Sequence, residues 1–118
     1  MTKEDFHKRY ARALREIAKG LGLTVGTFDI RSNKAGPGVL GEVTLHGERI
    51  YMQVGGSCCG EDRPDLLYRT VRGRTDYTGG VNHWDIKATE IFTDRVRVLE
   101  KLRAEIETTR HFSSDDCQ

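Results

Sequence analysis

The stretch Val39-Leu40-Gly41-Glu42-Val43-Thr44-Leu45-His46-Gly47-Glu48-Arg49-Ile50-Tyr51-Met52-Gln53-Val54 decides the fold. It reads as two strands, Val39 to Leu45 and Ile50 to Val54. The connection His46-Gly47-Glu48 is short and contains a glycine, which marks an antiparallel hairpin. Successive residues of a strand alternate between its faces, so Ile50, Met52 and Val54 share one side and Tyr51 and Gln53 the other. The apolar side needs a cover, and the remaining sequence supplies it.

Upstream, residues 2–21 form an amphipathic helix. Phe6, Tyr10, Ala13, Leu14, Ile17, Ala18 and Leu21 recur at helical spacing. Thr2, with Asp5 three positions on, starts the helix, and Gly20 and Gly22 stop it. Leu23 to Ile30 reads as another strand, with a parity shift beside Gly26 that suggests a bulge. Residues 32–38 are a loop by composition. Downstream, the pattern breaks over 55–65, and Leu66 to Arg72 is a fourth strand. An irregular stretch, Gly73 to Ile86, has the length at which loops tend to be functional. A second helix covers about 88–110, starting properly near Thr93-Asp94, with a stripe of Ile91, Phe92, Val96, Leu99, Leu102 and Ile106. The polar tail, about 112–118, is expected to fray.

Two amphipathic stripes need one apolar surface to cover. The expected fold is therefore a single α+β domain over residues 1–118, an antiparallel sheet of about four strands with both terminal helices on one face. Leu14, Ile17, Val43, Ile50, Val96 and Leu99 are its expected core. The opposite face carries Glu42, Thr44, Tyr51 and Gln53.

The totals exclude several function classes. A net charge of +1 gives no global field to draw nucleic acid or a membrane. No run approaches the ~18 apolar residues of a membrane span. The N-terminus is a charged helix rather than a signal peptide, so the cytoplasm is the expected compartment. The three cysteines agree, being odd in number with two adjacent. Cys58-Cys59 sits in a glycine-rich loop. Adjacent cysteines share one tetrahedral zinc poorly, and no C-x-x-C pair occurs, so no metal site or cofactor is expected. A thiol enzyme or metal site at Cys58 or Cys59, with His46, His83 or Cys117, is the third-ranked reading. His7 and His111 read as solvated, and His46 as a hairpin-turn residue. No H-E-x-x-H, G-x-S-x-G, P-loop or dinucleotide fingerprint is present, so the chain reads as a non-enzyme.

The distinctive segment is Tyr68-Arg69-Thr70-Val71-Arg72-Gly73-Arg74-Thr75-Asp76-Tyr77-Thr78-Gly79-Gly80, followed by Asn82-His83-Trp84. Arginine offers a planar fork to carboxylate or phosphate, and tyrosine a stacking face. Such residues serve nucleic-acid surfaces and dominate protein hot spots alike. A plainer reading is an edge strand with solvated arginines and a turn held by Asp76. The candidate partner-binding residues are Tyr68, Arg69, Arg72, Arg74, Asp76, Tyr77, His83 and Trp84.

This segment, with Gly41-Glu42-Val43-Thr44-Leu45-His46-Gly47 and Ile50-Tyr51 before it, resembles a group of small uncharacterised proteins carried by phages and prophages. The resemblance spans about residues 28–84. It implies mobile-element origin and, by association, inhibition of a host defence complex, with anti-CRISPR activity the specific expectation. The expected partner is then a host protein or ribonucleoprotein, bound by occlusion in the host cytoplasm. A nucleic-acid-binding module using Arg69 to Arg74 is the alternative.

Overall fold

The computed structural model describes residues 2–35, 40–55, 65–76, 78 and 80–116, with side chains as far as 108. The element order is α1 (Lys3–Gly20), β1 (Phe28–Asn33), β2 (Glu42–Gly47), β3 (Ile50–Gly55), β4 (Asp65–Thr70), α2 (Glu90–Thr93) and α3 (Arg95–Asp116). The strands form one antiparallel meander in the order β1-β2-β3-β4. This is the expected α+β architecture, with α1 against β1 and β2 and α3 against β4 and α1.

The register follows from the hydrophobic alternation. Val43 pairs with Val54, and Val54 with Leu66; Leu45 pairs with Met52, and Met52 with Tyr68. These side chains are all buried beneath the helices, with Phe6, Leu14 and Ile17 of α1 and Val98 and Leu102 of α3. A one-residue slip would turn the whole apolar set to the wrong face, so the alternation fixes the pairing.

The α1 boundaries follow from capping chemistry. The Asp5 amide donates to Thr2 Oγ1 at 3.1 Å. At the other end Leu23 N bonds Ala18 O and Gly22 N bonds Lys19 O, with Gly22 at φ 84°. This double bond around a left-handed residue is a Schellman stop, which glycine adopts without a Cβ penalty. Gly20 serves packing instead. A Cβ there would lie 3.0 Å from Leu99 Cδ1, and its carbonyl accepts from Arg103 Nη2 at 2.6 Å. It lets α3 cross close over α1.

Several expectations need correction. The stretch 23–27 is a turn rather than a strand or bulge, and β1 starts only at Phe28. The second strand runs from Glu42 to Gly47, which puts His46 inside it and leaves Glu48-Arg49 as the turn. The fourth strand stops at Thr70 rather than Arg72. His7 is buried rather than solvated, its Nε2 2.7 Å from Leu40 O. The last helix is two helices broken at Asp94, whose φ and ψ are −151° and 64°. Beyond it Val98 and Leu102 face the core, while Val96, expected to be buried, is 68% exposed. Asp94 caps the new helix, accepting Val98 N on its carbonyl at 3.2 Å and Arg97 N on its carboxylate at 3.4 Å. The α3 backbone is helical to Asp116. The start of the second expected strand at Val39, most of the loop 55–65 with Cys58-Cys59, and Cys117 lie outside the described residues.

The buried face of α3 is testable by urea denaturation. Leu102→Ala is expected to cost roughly 2–5 kcal/mol as a core truncation. Val96→Ala is expected to stay within about 0.5 kcal/mol, as surface changes do. Similar losses at both positions would contradict this burial pattern.

Candidate functional site

The site grows from two neighbouring residues of β4. Strand alternation sends Tyr68 to the helix-covered face and Arg69 to the open one. On the open face Asp29, His46, Tyr51 and Arg69 are aligned across all four strands. The next row is Arg31, Thr44, Gln53 and Leu67.

The chain leaving β4 folds across this face. Arg72 N bonds Asp76 O at 3.1 Å, and Asp76 N bonds Gly73 O at 3.2 Å, closing a tight turn. The Asp76 carboxylate then accepts from both Thr78 N at 3.1 Å and Thr78 Oγ1 at 2.6 Å, which holds its pKa below the usual value. Arg74 reaches Asp29 on β1 at 3.5 Å, so the turn spans the width of the sheet. Beneath it Thr44 and His46 are buried at 6% and 7% exposure, although they face away from the helices. His46 Nε2 lies 2.8 Å from Thr44 Oγ1, and its ring meets Tyr51 edge-on at 5.2 Å. Burial first, then Arg31, pushes its imidazole pKa down.

The returning chain is stapled along the β4 edge. Arg69 donates from Nη2 to Gly80 O at 2.7 Å and from Nη1 to Asn82 Oδ1 at 3.1 Å. Gly80 sits so close to β4 that a Cβ would lie 2.3 Å from Thr70 O, which excludes any larger residue. His83 then pairs with Tyr68 through both backbone groups, at 3.1 and 2.9 Å. An open groove of about 280 Å³ remains between sheet and segment, lined by Tyr51, Gln53, Leu67, Arg69 and Asn82.

On the helix side the same segment is locked to α3. The His83 ring stacks on Tyr68 with centroids 5.0 Å apart, and its Nε2 is 2.9 Å from Glu105 Oε1. Tyr68 donates its hydroxyl to Asp85 Oδ1 at 2.8 Å, and Lys101 donates to Asp85 Oδ2 at 2.5 Å. Lys101 foremost, and Tyr68 after it, hold the Asp85 carboxyl below its usual range against partial desolvation. Burial and the bond to Asp85 push the Tyr68 phenol well above its ordinary value.

The sequence-derived candidates therefore separate. Tyr68 is 3% exposed and committed to the core, so it offers no surface to a partner. Arg69 and Arg74 are engaged within the chain, Asp76 holds its turn, and His83 is half-buried in the α3 contact. Arg72 is exposed, and Trp84 is exposed at 59%. Tyr77 lies outside the described residues. Sequence reasoning missed Val81, exposed at 66%, and the groove residues Tyr51, Gln53, Leu67 and Asn82 as a set. The alternation placed Tyr51 and Gln53 on the open face, but nothing local announces that residue 82 returns to them. Among the described residues no group of three His, Cys, Asp or Glu side chains gathers as a metal site. No helix among them is long and apolar enough to cross a membrane. No protein-family model, curated protein or solved structure matches the chain significantly.

The two shifted groups predict the edges of a pH window. A raised phenol pKa stabilises the fold below the unfolded value of about 10 and is lost as pH rises beyond it. A depressed carboxyl pKa stabilises above about 4 and is lost as pH falls. Tyr68→Phe should flatten the alkaline limb of the stability profile and Asp85→Asn the acid limb, read by urea midpoints across pH. Ionisation of the Tyr68 phenol near its ordinary pKa in the folded state, seen by absorbance at alkaline pH, would contradict the network.

Proposed function

We propose that this chain is a non-enzymatic binding protein of mobile-element origin. It inhibits a host defence complex, a CRISPR effector complex being the specific target, by covering one of its protein surfaces. The observation that carries the binding role is the presentation of Trp84. Its neighbours on both sides are fixed, His83 by Tyr68 and Glu105 and Asp85 by Tyr68 and Lys101. An indole held 59% exposed on a braced backbone loses little freedom on binding, and tryptophan is among the commonest hot-spot residues. Val81 adds apolar surface three residues away. The mobile-element origin and the choice of target rest on the resemblance of the segment 68–80 and its flanks.

The nucleic-acid reading has less support. Of the three arginines in the segment, Arg69 and Arg74 already have partners in the chain. A phosphate-tracking groove needs several uncommitted cations in line.

The test measures binding of the chain to purified CRISPR effector complexes by titration. Trp84→Ala is expected to cost about 2 kcal/mol or more, roughly thirtyfold in Kd, while circular dichroism stays unchanged. Submicromolar binding to bare DNA or RNA at physiological salt, abolished by replacing Arg69, Arg72 and Arg74 together with Ala, would reverse the assignment.

A further inference from the structure

We propose that the groove between β3, β4 and the returning segment is a carboxylate-binding subsite, which takes an Asp or Glu side chain of the partner protein; this rests on the protein-binding reading above. The five lining residues, Tyr51, Gln53, Leu67, Arg69 and Asn82, include one cation and no carboxylate. Arg69 forms no ion pair among the described residues: both of its bonded acceptors, Gly80 O and Asn82 Oδ1, are neutral, and its Nε is buried with no partner. A half-buried guanidinium with a buried, unpaired Nε–H and no counter-ion carries a charge that nothing nearby balances, and an anion entering the groove offsets it.

The amides point the same way. Arginine can only donate, so its bond fixes Asn82 with Oδ1 toward Arg69 and leaves Nδ2 as a free donor. Gln53 Oε1 accepts from Tyr51 Oη at 2.8 Å, which leaves its Nε2 uncommitted. The groove thus offers two amide donors beside a positive charge, with Leu67 as an apolar lining residue. That is a site for one planar acceptor. A phosphate chain fits worse. It would have to cross the same face past Glu42 and Asp65, which stand in the row beyond Gln53 and Leu67 and would repel it. Asn82 is two residues from Trp84, so one partner can seat an acidic side chain in the groove while contacting the indole.

The experiment titrates the ¹⁵N-labelled full chain with glutarate, with its neutral isostere glutaramide, and with inorganic phosphate. Saturable shifts of the Arg69 Nε–H and of the Gln53 and Asn82 side-chain amides are expected with glutarate. Binding of glutaramide should be at least about tenfold weaker, because charge-assisted bonds are the stronger ones. Gln53→Glu places a carboxylate inside the groove and should abolish the glutarate shifts with the fold intact, which avoids relying on Arg69 variants that also loosen the segment. Equal binding of glutarate and glutaramide, tighter binding of phosphate, no shifts at all, or unchanged glutarate binding in Gln53→Glu would each overturn the subsite. Loss of this subsite with a persisting Trp84 effect on the partner leaves the proposed function standing. A working subsite with no Trp84 effect removes that function alone.

Discussion

Everything that distinguishes this surface depends on β4 gripping the returning chain from both sides. Tyr68 and Arg69 are adjacent, and strand alternation sends them to opposite faces. Tyr68 takes Asp85 and His83 on the helix side, while Arg69 takes Gly80 and Asn82 on the open side. Two consecutive residues therefore clamp one segment, 80–85, along a sheet edge. An uncovered edge would leave a row of backbone donors and acceptors exposed to any other chain. Here the paired bridge of Tyr68 and His83 covers its centre.

The clamp also decides how charge is used. Lys101 and Glu105 lie one helical turn apart on α3, and each meets one residue of the segment, Asp85 and His83. The ion pairs are half-exposed, and such pairs contribute little individually. Their effect is positional: they fix the backbone on either side of Trp84. Arg74 acts in the same manner at the far edge, where Asp29 receives it and ties the turn to β1. Two of the three arginines of the segment, Arg69 and Arg74, thus serve as internal scaffolding.

The legible part of the fold is the part written in local periodicity. The α1 stripe, the Thr2 cap and the alternation of β3 appear in the structure as the spacing implies. The failures are places where a nonlocal contact outranks the local signal. Val96 fits a helical stripe through Phe92 and Leu99, but the core contacts of α3 fall on Val98 and Leu102 instead. His7 sits in a polar-looking helix start, yet Leu40 supplies an acceptor from 33 positions away. Gly20 looks like a stop and is a packing notch for Leu99. Tyr68 reads as a surface aromatic because its partners, His83 and Asp85, follow 15 and 17 positions later in the chain. The candidate site was legible as a segment and illegible as a surface, since which side chains are spent internally is decided only by the crossing of the sheet.

The clamp and the groove impose opposing demands on Arg69. Holding Gly80 and Asn82 fixes the guanidinium in place, which removes the entropy cost of ordering a long side chain when an acceptor arrives. The same commitment leaves the Nε–H unpaired and the charge without a carboxylate. A carboxylate already present in the sheet row would cure that imbalance, and Asp29 lies in the same row but pairs with Arg31 and Arg74 instead. The sequence thus spends its nearby acid on tethering the turn and keeps Arg69 electrostatically unsatisfied beside two free amide donors. A fold built for stability alone would place an acid at Gln53, one residue diagonal to Arg69 on the same face. That position carries an uncharged amide, and the groove stays open to an acid from outside.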